Sequence, residues 1–270
     1  MSISAESAYL RVFRICQSAL RHATDALLSV VLAPRCAVCD GVLDEPLSGP
    51  VCSACWSRVH FITPPVCDRC GDPLPAWRDI SQQTSRCPRC RRAALHVDRG
   101  RTIGEYDGAL RAIIHALKYQ KRRSLARRLA ALMRDRGAEV LHGADWIVPV
   151  PLHPRRRRHR GFNQAEDLAR HLGLPVRAWL VRRHHTRPQV ELPASQRHRN
   201  VRHAFEVKRR RWSHPFDGGD LRLSGRCVVL VDDVSTTGAT LEACARVLKQ
   251  AGVREVRALT AARVVWKPRA

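Results

Sequence analysis

A chain of 270 residues with 44% apolar side chains is long enough for one substantial α/β domain plus a small appendage, and too apolar to be disordered. It holds no run of 18 or more uncharged apolar residues, which excludes a helical membrane span. The formal charge of +24 is concentrated: residues 101–211 carry 27 basic against 9 acidic side chains, a balance of +18, whereas residues 1–100 and 212–270 balance at +3 each. The middle segment therefore calls for a polyanionic partner, pyrophosphate or nucleic acid.

Residues 5–32 place apolar side chains at helical spacing, interrupted by Arg11, Arg14, Arg21 and Asp25, and lead into a cysteine cluster without a small-residue cleavage site. This pattern predicts an amphipathic lead-in helix over residues 1–35 rather than a signal peptide, and hence a cytoplasmic protein with no membrane insertion.

Residues 36–92 are proline-rich and too poor in apolar side chains for a core of their own. They carry four Cys-x-x-Cys pairs, Cys36/Cys39, Cys52/Cys55, Cys67/Cys70 and Cys87/Cys90, with 12, 11 and 16 residues between successive pairs. One such knuckle presents two thiolates on one side of a tight turn, and two knuckles complete a tetrahedral Zn²⁺ site. Without a secretory signal, metal is a more natural partner for them than disulfide pairing. Two sequential sites are the simplest arrangement. Cross-braced pairing, first with third and second with fourth, and a single occupied site remain open, so one or two Zn²⁺ are expected per chain. The metal would supply the folding energy that the segment lacks. Arg69, Arg86, Arg89, Arg91 and Arg92 border the knuckles, and Trp56 and Trp77 offer faces for bases to stack on; the same side chains serve equally well in packing. Cys16, Cys227 and Cys244 stand alone and read as buried thiols.

Residues 93–270 alternate helix patterns (109–118, 124–136, 163–171, 240–251) with apolar strand patterns (146–150, 226–231, 255–260). That alternation predicts a mostly parallel sheet with helices on both faces. The polar stretch 206–225 reads as a hairpin or surface loop.

The chemistry centres on residues 228–240, VVLVDDVSTTGAT. A buried parallel strand ends on Asp232 and Asp233. The small hydroxylic run Ser235, Thr236, Thr237, Gly238, Ala239 and Thr240 follows and opens a helix. Ligands of open α/β sheets bind beyond strand ends, and a loop of small residues entering a helix aims N–H groups and the positive helix end at a phosphate. Two adjacent carboxylates would repel that phosphate. They suit a pair of ribose hydroxyls, or Mg²⁺ held indirectly. No Gly-Lys-Ser/Thr follows, so this is not a Walker loop, and no GxGxxG is present.

This segment resembles the 5-phosphoribosyl-1-pyrophosphate (PRPP) motif of type I phosphoribosyltransferases. Residues 114–119 (IHALKY), 148–152 (VPVPL), 160–164 (RGFNQ), 186–189 (TRPQ) and 199–201 (RNV) leading to Phe205 narrow the resemblance to the ComF family of competence-associated proteins. It runs over residues 30–262, in the family's order. It implies a type I phosphoribosyltransferase-like domain preceded by a small zinc-binding, double-ribbon-like module. By resemblance, Asp232 and Asp233 hold the ribose hydroxyls, residues 235–240 wrap the 5′-phosphate, Lys118 belongs to the site, and residues 160–164 form a mobile loop over it.

Arg160 is the favoured pyrophosphate ligand of the 155–158 and 160 arginine cluster, which suits nucleic acid equally. Anomeric substitution needs positioning and charge more than covalent catalysis. Asp233 is the nearest base for an acceptor's proton, and the histidines read as structural or surface residues.

Three functions are therefore expected. The first is a PRPP- and Mg²⁺-using phosphoribosyltransferase-type protein in DNA uptake, binding single-stranded DNA and competence-machinery proteins. The second is a non-catalytic nucleic-acid binder that senses PRPP or a nucleotide. The third is a small-molecule salvage enzyme with no nucleic-acid partner.

Overall fold

The computed structural model describes residues 3–74, 86–93, 95–183, 204–208 and 223–265, with few side chains before residue 20. The TRPQ and RNV motifs, Trp77 and most of the polar stretch 206–225 lie outside the described residues, as does the Cys16 side chain. The chain forms two compact units, Met1–Val59 and His60–Ala270, so the first two cysteine pairs and the last two fall in different units.

In the smaller unit, α1 (Ile3–Leu32) is followed by a 3₁₀ turn (Pro46–Ser48) and α2 (Ser53–Ser57). Asp25, which interrupts the apolar pattern of α1, has a use. It is only 4% exposed, and its Oδ1 accepts the Leu47 N–H at 2.8 Å. Ser29, one turn on, donates to the Leu43 carbonyl at 2.8 Å. These two bonds fasten the helix to the cysteine-bearing loops and satisfy backbone groups that the sparse core cannot. No helix among the described residues is long and apolar enough to cross a membrane.

The larger unit contains α3 (Pro88–Arg92), β1 (Arg99–Glu105), α4 (Gly108–Tyr119), α5 (Leu125–Arg136), α6 (Ala138–Leu141), β2 (Trp146–Pro149), α7 (Pro154–Arg160), α8 (Gln164–Ala169), β3 (Leu180–Arg182), β4 (Phe205–Val207), β5 (Cys227–Ser235), α9 (Ala239–Gln250) and β6 (Glu255–Arg263). Its main sheet has the order β1-β6-β5-β2 with every pairing parallel, as the apolar strand patterns predict. β3 and β4 form a separate antiparallel pair. On one face of the sheet, Leu241, Cys244, Ala245 and Leu248 of α9 pack with Val228, Leu230, Val256 and Ala258. On the other face, α5 and α8 cover β5 and β6. Both faces of β5 are thereby dry, which is why its sequence is continuously apolar rather than alternating. The carboxyl ends of β5 and β2 lie side by side, in register from Trp146 opposite Val228 to Pro149 opposite Val231. Beyond those ends is the place where such sheets hold ligands.

Candidate phosphoribosyl site

β5 runs past its apolar core through Asp232 and Asp233 to Ser235, so both acids are fixed by strand hydrogen bonding to β6 rather than left in a loop. Gly238 follows in the left-handed region (φ 73°) and turns the chain into α9, which aims the helix's unpaired N–H groups back toward the strand end. Thr237 Oγ1 accepts the Ala239 N–H at 3.4 Å. The Ser235 and Thr236 hydroxyl oxygens are buried and have no hydrogen-bond partner among the described residues. Native proteins rarely leave such groups unpaired, so two of them at the mouth of a helix fit an anion with several acceptor oxygens.

While Ser235 and Gly238 line a separate small cavity, a cleft of about 940 Å³ opens over the strand end and over Thr236 and Thr240 of the loop. Its floor holds Asp232 and Asp233, its loop side Thr236 and Thr240, and its rim arginines from three elements. Lys118 comes from the last turn of α4 and reaches Asp233, with Nζ 2.8 Å from Oδ2. Burial opposes the ammonium charge, but Asp233, Asp232 and Tyr106 outweigh it and hold the Lys118 pKa above its ordinary value. Asp232 is different. Burial first, and then the charge of Asp233, push its carboxyl up to about 8, against the opposing pull of Lys118 and the Asp233 N–H. Burial and a like charge alongside thus make Asp232 the acid of the pair that holds a proton more readily near neutrality.

The arginine run 155–158 is not a disordered charge run. Pro154 occupies the first turn of α7, His153 Nδ1 accepts the Arg155 N–H, and Gly161 (φ 84°) closes the helix. Helical spacing then sorts the cations. Arg155, Arg156 and Arg160 line the cleft, while Arg157 turns away to pair with Glu166 at 3.2 Å. The resemblance implied a loop over the site at residues 160–164; Arg160 ends α7 and Gln164 begins α8, with a short turn at 161–163 between them. Asn163 secures it twice, accepting the Ala165 N–H through Oδ1 at 3.1 Å and donating to the Val150 carbonyl at 3.0 Å. Arg160 also donates to Gln164 Oε1 at 2.6 Å and lies 5.2 Å from the Tyr119 ring centroid, over an aromatic side chain that is 63% exposed.

Arg111 and Arg182 escaped the sequence reading, and His115, read there as structural or surface, lines the cleft as well. Arg111 and His115 project from α4, and Arg182 comes from β3. Burial, then the charges of Arg111 and Lys118, lower the His115 pKa. Arg182 is 8% exposed, and burial followed by the charge of Arg156 lowers its pKa. Only the helical spacing of the LKY element could have flagged Arg111 and His115, which lie seven and three residues before Lys118 on the same face.

The cysteines settle into two sets, Cys36/Cys39/Cys52/Cys55 and Cys67/Cys70/Cys87/Cys90, each with its sulfurs within 4.8 Å of one another. This is the sequential pairing; cross-bracing is not what the chain does. Four thiolates around zinc at 2.3 Å would be about 3.8 Å apart. The Sγ–Sγ separations of 3.9 Å (Cys36–Cys55), 3.8 Å (Cys39–Cys52) and 3.6 Å (Cys70–Cys87) fit that tetrahedron. Backbone N–H groups of Cys52 and Cys87 point at Cys36 Sγ (3.4 Å) and Cys67 Sγ (3.3 Å). The Cys70 thiol above all, with the backbone N–H groups of Cys87, Cys70 and Arg69 and against the cost of burial, brings Cys67 down to about 4. Such donors stabilise thiolate, the form that binds metal.

Comparison with known proteins agrees with this geometry. Residues 27–91 match the double zinc ribbon domain, and residues 158–265 match the phosphoribosyl transferase domain. The chain is 32% identical over 233 residues to competence protein F of Haemophilus influenzae, an alignment covering 83% of this chain and 94% of that one. It belongs to the competence protein F (ComF) family. DNA utilization protein YhgH of Escherichia coli K12 is 33% identical over 224 residues (77% of this chain, 87% of that one), and competence protein ComFC of Bacillus subtilis 27% over 206 (75% and 79%). As ComF proteins are built here, the zinc ribbons and the phosphoribosyltransferase-type sheet are parts of one chain, and the second ribbon belongs to the same compact unit as the sheet.

Proposed function

We propose that the chain binds PRPP with Mg²⁺ at the end of β5 and acts as a phosphoribosyltransferase-type protein in the cytoplasmic handling of single-stranded DNA during uptake and use. The observation that carries this reading is the pair of unpartnered hydroxyls, Ser235 and Thr236, at the start of α9 beside the two carboxylates of β5. A 5′-phosphate satisfies the first pair of groups, and ribose hydroxyls satisfy the second.

In this assignment Asp232 and Asp233 accept from the ribose hydroxyls, and Lys118 holds Asp233 until the sugar arrives. Residues 235–240 take the 5′-phosphate, and Arg160, with Arg155 and Arg156, takes the pyrophosphate. Bound with PRPP, Mg²⁺ would supply further positive charge beside the pyrophosphate, next to Arg155, Arg156 and Arg160. In transfer, the bond between ribose C1 and the pyrophosphate oxygen breaks and its electron pair leaves with pyrophosphate. The acceptor's lone pair forms the new bond to C1, and the acceptor's proton passes to a base. In this reading Asp233 takes it, with His115, which also lines the cleft, as the second candidate. The rim arginines and the exposed Tyr119 suit the phosphates and bases of a single strand. The proteins that this family works with in competence are then partners of the same complex.

³¹P NMR tests transfer directly. Pyrophosphate should be released from PRPP only when a competent acceptor is supplied from a panel of bases, amines and single-stranded oligonucleotides. Tight PRPP binding with no turnover across the whole panel would instead establish a PRPP sensor.

A further inference from the structure

The second cysteine cluster does more than staple a loop. It approaches the phosphate-binding turn itself. Gly71, directly after Cys70, packs so closely on β1 that a Cβ there would come 2.8 Å from the Gly100 carbonyl. Arg263 at the end of β6 is only 4% exposed; it donates to the Cys70 carbonyl and pairs with Asp72 at 2.6 Å. Arg69 donates to the Val97 carbonyl at 3.1 Å and also to that of Leu95. The knuckle is therefore held on β1 and β6, and β6 pairs with β5, the strand that carries the phosphate loop.

From this platform Arg89, between the ligands Cys87 and Cys90, extends to Gly238. Its Nη2 and Nη1 lie 3.4 and 3.8 Å from the point that a Cβ on Gly238 would occupy. Among the described residues no carboxylate or carbonyl engages this half-buried guanidinium. A small cavity lies between knuckle and loop. Arg89 and Gly238 line it together with Ser235, which is 5% exposed and has no partner for its hydroxyl oxygen. An unpaired cation and an unpaired hydroxyl thus meet at the first turn of α9.

We infer that Arg89 is a positioning residue of the phosphoribosyl site: from the second zinc knuckle it braces the turn at Gly238 and adds positive charge behind the bound 5′-phosphate. The ribbon's metal is then a determinant of phosphoribosyl affinity, because Cys87 and Cys90 fix the backbone from which Arg89 projects. A Cβ on Gly238 would rest in ordinary contact with the guanidinium, so it is the positive φ of the turn that calls for glycine there.

This inference rests on the PRPP reading of the site, and the test separates the two. Binding of Mg²⁺-PRPP, ribose 5-phosphate and pyrophosphate to the full zinc-loaded chain is measured by calorimetry for wild type, Arg89→Ala, Arg89→Lys and Arg92→Ala. Arg92 is an exposed neighbour of equal charge. Arg89→Ala should weaken PRPP and ribose 5-phosphate by the same factor, about tenfold, and leave pyrophosphate affinity and zinc content unchanged. Arg89→Lys should recover part of the loss, and Arg92→Ala should bind as wild type does. Equal loss in Arg92→Ala, loss of pyrophosphate affinity in parallel, or wild-type affinity in Arg89→Ala would each overturn the role of Arg89. Failure of the wild type to bind PRPP would overturn the site assignment on which it stands.

Discussion

Lys118 and Asp233 meet across the floor of the cleft, one at the end of α4 and the other at the end of β5, with 2.8 Å between Nζ and Oδ2. Neither belongs to the hydroxylic loop, yet the pair decides the charge that the loop's ligand encounters. Lys118 pairs with the buried Asp233, while burial and the neighbouring Asp233 charge raise the pKa of Asp232.

Removing the cation alone should be costly. Lys118→Met keeps the aliphatic stem but leaves buried carboxylates uncompensated, a change that typically costs about 3 kcal/mol. Urea unfolding should show that loss at pH 8. It should be smaller at pH 6, where a proton can take the lysine's place. A variant as stable as wild type at both pH values would mean that the pair is not coupled to folding.

The state of Asp232 sets a pH dependence with a definite sign. Its folded pKa, about 8, lies above the unfolded value, so the ligand-free fold binds the extra proton. The ligand-free protein should therefore lose stability as pH rises from about 4 to about 8. PRPP affinity should run the other way, because ribose hydroxyls need the carboxylate as acceptor. It should rise by up to about tenfold per pH unit below 8 and level off above. Thermal melts and calorimetry at pH 6, 7 and 8 test both trends, with Asp232→Asn as the reference that flattens them.

The acids, the glycine turn and the helix after them were legible because their chemistry is local: a continuous apolar strand, two carboxylates and small residues follow one another without a gap. β1 was not legible. Its sequence, RGRTIGE, holds two arginines and two glycines, and it is a strand because β6 pairs with it from Arg99 to Glu105. α7 was hidden behind its own charge, and its helical form comes from Pro154, the His153 cap and Gly161 at its end. Arg182 and Arg89 lie far along the chain from the loop they approach, so only tertiary packing brings them to it. Spacing alone likewise left the pairing of the cysteines open, whereas proximity decides it.

That pairing predicts two metal ions. Elemental analysis of protein purified without chelator should give about two Zn²⁺ per chain, and Cys39→Ser should lower the count to about one while the second cluster stays loaded. Loss of both ions from this single change would indicate one shared site.

Tyr119 offers its face at the rim, with Arg160 5.2 Å from the ring centroid. Tyr119→Ala should weaken single-stranded oligonucleotide binding about tenfold, the usual worth of one stacked base, a larger loss than it causes in PRPP affinity through Arg160. Fluorescence anisotropy in increasing salt should show wild-type binding weakening steeply, as expected for several phosphate contacts. Salt-independent binding would place the DNA elsewhere.

The central claim is that Asp232 and Asp233 hold a phosphorylated ribose. Isothermal calorimetry with Mg²⁺-PRPP on the wild type and on Asp232→Asn/Asp233→Asn tests it most directly. The account predicts a micromolar-range complex for the wild type, on the order of 1–100 μM, and at least about a hundredfold loss in the double variant with cooperative thermal unfolding retained. Equal affinity in the two proteins, with the fold intact, would contradict it.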